Sequence, residues 1–196
     1  MAEIKSTMDL VMERAAQIGK ASSEELRRED ARKNGVQLAV EYMEGKSEDL
    51  LAELKGHDHD IQVMVLKGMA ETILRNIFLP RDEMQQERTA KAIAGLKSLD
   101  SGGGVGAICD EVTNILGGYL QHREQLRGQL EEQIKMHYES LMAQQPEMQR
   151  AGAQLDPSQQ PKFQEEWNRV ETELNSQYGN ALEKLKLQLN QRLGIA

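Results

Sequence analysis

Residues 105–145 read VGAICDEVTNILGGYLQHREQLRGQLEEQIKMHYESLMAQQ, without a single proline. Apolar residues recur there at steps of three and four: Val105, Ile108, Cys109, Val112, Ile115, Leu116, Tyr119, Leu120, Leu126, Leu130, Ile134, Tyr138, Leu141 and Met142. That period belongs to a helix with one buried stripe. The stripe is interrupted once, near Arg123. A continuous helix of ~40 residues is ~60 Å long. A continuous helix is the reading taken, with Gly117-Gly118 as the place where it would bend or break and where the sequence leaves continuity open.

The chain has four prolines, Pro80, Pro146, Pro157 and Pro161, and everything between them reads as helix. A proline inside a helix removes a hydrogen bond and clashes with the preceding turn, so these positions act as punctuation. Residues 146–161 form a polar, proline-bearing loop. After it, Phe163, Trp167, Val170, Leu174, Tyr178, Ala181, Leu185, Leu189 and Leu193 make a second seam with several four-residue steps, an imperfect heptad. The loop is too short to carry the chain back along the first long helix. Two helices that pack on each other must then be antiparallel, giving a coiled-coil-like hairpin over residues 107–196.

Upstream, Asp100–Gly106 reads DSGGGVG and is expected to be a linker, residues 100–106. Before it the pattern predicts a bundle of five shorter helices over residues 1–99, expected to fold alone. The first runs from about Ser6 to Ile18 and is stopped by Gly19. Ser22 and Ser23 offer caps to a second that continues to about Met43 and ends at Gly45. Ser47 caps a short third helix carrying Leu50, Leu51 and Leu54. The fourth, about Asp60 to Phe78, has a wide apolar arc and belongs at the centre of the bundle. The fifth, about Arg81 to Leu99, buries Met84, Ala92, Ile93 and Leu96. The fold class predicted is all-α: an N-terminal helical bundle plus a long antiparallel C-terminal hairpin.

Composition narrows the function. Aromatic residues are only 4% of the chain, which suits extended helices that bury a seam. The net charge is -8, with no basic half, and this opposes generic nucleic-acid binding, which depends on neutralising phosphates. Cys109 is the single cysteine, so no intramolecular disulfide framework exists. The opening MAEIKSTMDL lacks the apolar core of a signal peptide, and no run approaches membrane-spanning length. A soluble, cytoplasmic protein without membrane or nucleic-acid partners is expected.

Few motifs carry chemistry. Gly102 to Ala107 matches G-x-G-x-x-A, but a dinucleotide site needs a preceding strand, and none is predicted. His57-Asp58-His59-Asp60 is the densest group of metal-competent side chains, with His57 and His59 as its candidate ligands. One loop supplies too few of them, and Asp58 or Asp60 reads better as a helix cap. Cys109 lies in an apolar row and reads as a structural thiol. Arg27, Arg28, Arg32 and Lys33 are interleaved with acids, as on a solvated face. No cofactor is expected. The stretches EIKSTMDLVMERAA and NIFLPRDE resemble an uncharacterised bacterial family of helical proteins, a domain of unknown function. The resemblance brings no activity and no site residues with it.

The function expected is therefore that of a non-enzymatic interaction or scaffold protein. It is expected to form a homo-oligomer through the hairpin, with another protein as a further partner. The contact residues expected are Ile115, Leu120, Leu126, Leu130, Tyr138, Trp167, Leu174, Leu182 and Leu185. Of these, Ile115, Leu120, Tyr138 and Leu182 fall off the hairpin stripe and should lie partly in water. The competing class is a small-molecule or metal-binding helical bundle.

Overall fold

The computed structural model describes residues 7–100, 102–144 and 156–195. Among the described residues there are six α-helices and no strand, so the protein is all-α. The helices are α1 (Thr7–Met43), α2 (Leu50–Lys55), α3 (His59–Leu74), α4 (Glu83–Ser98), α5 (Val105–Gln144) and α6 (Pro161–Arg192), the last preceded by a 3-10 turn at Pro157–Gln159. Pro146 lies outside the described residues.

The break expected at Gly19 does not occur: α1 continues through Gly19, Ser22 and Ser23, so no second helix starts there. One interior glycine costs a helix only about 1 kcal/mol, too little to stop it against flanking Glu, Leu, Arg and Ala. The real stop is Gly45, at φ 80°. Its N–H donates to the Tyr42 carbonyl at 3.0 Å, and that of Lys46 donates to the Glu41 carbonyl at 2.8 Å. This is a Schellman ending, which needs a left-handed residue and therefore favours glycine. The cap of α2 is Asp49, not Ser47. The Asp49 carboxylate accepts from the N–H groups of Leu51 and Ala52, both at 3.0 Å. Ser47 instead donates to Glu53. The cap of α4 is Asp82, accepting from the Gln85 N–H at 2.8 Å, while the Gln85 amide oxygen accepts from the Arg81 N–H. Met84, expected on the apolar face of that helix, is 79% exposed.

The chain forms two compact units, and they interleave along the sequence. The first comprises Met1–Ile77, Lys91–Gly106 and Leu189–Ala196; the second comprises Phe78–Ala90 and Ala107–Gln188. The division expected at residues 100–106 was linear, whereas the first unit takes in that whole segment and part of the C-terminal region as well.

In the first unit, α3 supplies a buried row of Val65, Met69, Ala70, Ile73 and Leu74, as its wide apolar arc requires. It meets α1 through glycine. A Cβ placed on Gly68 would lie 2.0 Å from the Arg32 carbonyl oxygen, and one on Gly35 would lie 2.0 Å from that of Val65. The two backbones touch, and only a residue without a side chain fits on either side. Beside this contact the Arg32 guanidinium reaches Glu71 at 2.9 Å. Nearby, Tyr42 packs over Gly95, its hydroxyl donating to the Lys91 carbonyl at 3.2 Å.

The glycine-rich segment is a fixed turn rather than a bare tether. One oxygen of Asp100 accepts from the N–H groups of Gly102 (3.2 Å) and Gly103 (2.9 Å). The other accepts from Val105 (3.0 Å) and Gly106 (3.2 Å). Gly103 takes φ 76°, which explains a glycine at that position. From there α5 continues without interruption through Gly117 and Gly118 to Gln144.

Candidate interaction surface

The second unit contains the hairpin. As α5 advances through Tyr119, Arg123 and Tyr138, its partners step backwards through Asn175, Glu171 and Gln160. The two long helices are therefore antiparallel. The Tyr119 hydroxyl donates to the Asn175 amide oxygen at 2.9 Å, and its ring meets that of Tyr178 edge-on at 5.5 Å. Burial pushes the Tyr119 hydroxyl above its ordinary pKa, keeping it a neutral donor.

One turn further on, Arg123 interrupts the apolar stripe. Its Nε and Nη2 both donate to one oxygen of Glu171, at 3.0 and 2.8 Å, with both side chains about four-fifths covered. The sequence carried a signal for this pair: Arg123 lies four residues after Tyr119, and Glu171 four before Asn175. Opposite-charge partners at matched steps on antiparallel helices meet. Next comes an apolar cluster of Ile134, Phe163 and Trp167, flanked by Leu126, Leu130, Tyr138 and Val170. The rings of Phe163 and Trp167 lie nearly parallel, at 12° and 6.4 Å. Arg127 sits 6.0 Å from each ring and Arg123 sits 5.5 Å from Trp167, adding cation–π attraction to the rim.

The expected contact residues divide into two groups. Trp167, Leu174, Leu182 and Leu185 are buried within the chain's own packing. Leu182, expected partly in water, is only 3% exposed. Ile115, Leu120, Leu126, Leu130 and Tyr138 are half-buried. Beside the seam lies an open groove of about 760 Å³, lined by Leu126, Val170 and Leu174 together with His122, Glu166 and Arg169.

The other candidates do not converge on a centre. Among the described residues, no three His, Cys, Asp or Glu side chains come together as metal ligands would. His59 is exposed, and the backbone carbonyl of His57 accepts from the Gln62 amide. Asp58 precedes α3 without a side-chain capping bond and pairs with Arg27 at 3.6 Å. Cys109 is fully buried. At the G-x-G-x-x-A stretch, the Asp100 carboxylate already occupies the backbone donors that an anion would need. Among the described residues, no helix is long and apolar enough to cross a membrane.

Architecture and surface thus define an all-helical protein with a long antiparallel hairpin in its second unit. The chain belongs to the DUF6657 family, a family of unknown function, whose model matches residues 51–191. That span includes the NIFLPRDE stretch and the hairpin, while the EIKSTMDLVMERAA stretch precedes it. No curated protein and no solved structure matches the chain.

Proposed function

We propose that this protein is a non-enzymatic helical interaction or scaffold protein that acts as a homo-oligomer. The observation that supports this reading is the apolar surface its helices leave in water. Leu26 is 63% exposed, Val63 57%, Met136 55% and Leu187 60%, and the groove beside Leu126 and Val170 is open. Long helices that bury one stripe and keep others exposed are suited to gripping another helix. The hairpin seam itself is consumed within the chain. Its half-buried rim, from Ile115 to Tyr138, remains for a partner. Light scattering coupled to gel filtration tests the assembly: at micromolar concentration the mass should be a multiple of the 22.1 kDa chain. A monomer at high micromolar concentration rejects the homo-oligomer.

A further inference from the structure

The front of α1 carries a surface whose pattern specifies its partner. From Ser23 to Asp30, all eight residues are exposed over more than two helical turns, with Asp58 beside Arg27 at 3.6 Å. On the rear half, Ala31, Gly35, Ala39 and Tyr42 are buried. Away from that buried face run Leu26, Glu29, Lys33, Val36 and Val40, all exposed, at steps of three, four, three and four. Met8 and Met12, 71% and 67% exposed, fall on the same seven-residue repeat beyond Ala15, Gly19 and Ser22, and lie outside the span paired below. Met12, Leu26, Lys33 and Val40 share one position of the repeat, and Met8, Glu29 and Val36 share the other. This is the a/d pattern of a coiled-coil seam, and it lies on the outside of the molecule.

Two charges interrupt the stripe, and they are opposite in sign and four residues apart. Two parallel copies would set Glu29 against Glu29 and Lys33 against Lys33. Antiparallel copies centred level with residue 31 set Glu29 against Lys33 twice, and Leu26 against Val36 twice. In that register each a position faces a d position, as antiparallel seams require. We infer that α1 is a self-recognition helix, pairing antiparallel with α1 of a second copy of this chain about a two-fold axis. This rests on the proposed homo-oligomer and names its contact. Glu29 also lies 3.5 Å from Arg32 of its own helix, and Arg32 keeps Glu71 at 2.9 Å as its closer carboxylate. Reversing the charge at residue 29 therefore leaves the α1–α3 ion pair in place.

A charge-swap series on the full chain is the test, read as the dimer dissociation constant by light scattering and sedimentation. Glu29→Lys and Lys33→Glu should each weaken the dimer by about tenfold or more, because each places like charges across the seam twice. The double variant, Glu29→Lys with Lys33→Glu, should return to within about threefold of the wild type, because the pair is restored with its sign reversed. Both sites are exposed, and unchanged thermal melts of the three variants at low protein concentration confirm folding. A parallel pair predicts no change in any of the three variants. If the wild type is a dimer and the series leaves it untouched, the antiparallel α1 pairing inferred here is rejected and the homo-oligomer stands. If the wild type is a monomer, both fall.

Discussion

The contact between α1 and α3 and the contact between α5 and α6 are both helix pairs, held in opposite ways. At Gly35 and Gly68 two backbones touch with no side chain between them. In the hairpin the backbones are held apart by Tyr119, Trp167 and Phe163, and the seam carries an ion pair and amide–hydroxyl bonds. Dispersion falls steeply with distance, so the first pair gains from closeness and tolerates no added atom. The second gains from area and from groups whose geometry fixes the register. A glycine therefore means opposite things in the two regions.

The largest effect is expected at the close contact. Gly68→Ala, or Gly35→Ala, sets a methyl group 2.0 Å from a backbone oxygen, and neither helix can yield by rotating a side chain. Each should cost about 3 kcal/mol, the upper range for overpacking, read from urea unfolding. Tolerance within a few tenths would show that the two helices are not in backbone contact.

The next effect concerns Asp100, where the first unit depends on a charge as the hairpin depends on Arg123–Glu171. Partial burial pushes the Asp100 carboxyl up, but four backbone N–H donors outweigh this and hold it below the ordinary aspartate value. A depressed folded value means stabilisation that is complete above the unfolded pKa and lost as pH falls through the folded one. Asp100→Ala should cost about 1–2 kcal/mol at neutral pH, as for a helix cap. It should also flatten the acid limb of the stability curve below the ordinary aspartate pKa. Wild type and variant with parallel acid limbs would remove Asp100 from that role.

The smallest effect has the opposite sign. A Cβ at Gly117 meets nothing within 4 Å. Gly117→Ala should stabilise α5 by about 0.5–1 kcal/mol, the helix-propensity difference alone, raising the melting temperature. Destabilisation would mean that the flexibility or bareness of that turn is used by something that docks there.

Much of this fold was legible in the sequence, and the exceptions have physical reasons. The prolines and the three-four spacing located the helices and the hairpin, because local sterics and one buried stripe govern both. Gly19 was misread because a helix survives one glycine when its neighbours favour helix. The meeting of Gly35 with Gly68 is invisible in sequence, since a missing side chain does not say what approaches it. The role of Asp100 has no signature in the sequence, because its partners are backbone groups, which have no letter. Leu182 fell off a stripe drawn for straight helices, yet successive four-residue steps drift around α6 and carry it under cover. Of the expected contact residues, Trp167, Leu174, Leu182 and Leu185 are covered by the chain's own packing, because the most apolar positions of a hairpin face its other helix. The α1 repeat is hard to see in the sequence because Glu29 and Lys33 interrupt it.

The interleaving of the two units also orders events in time. Leu189–Ala196 belongs with the first unit, and Leu189 and Ile195 are buried, the helix end there turning at Gly194, φ 66°. A ribosome makes that segment only after the whole of the second unit has been synthesised. The first unit begun is thus the last one finished, its closure waiting on a contact of very long sequence separation. Topology of this kind slows folding. It leaves the first unit without its C-terminal segment while the hairpin is still being made.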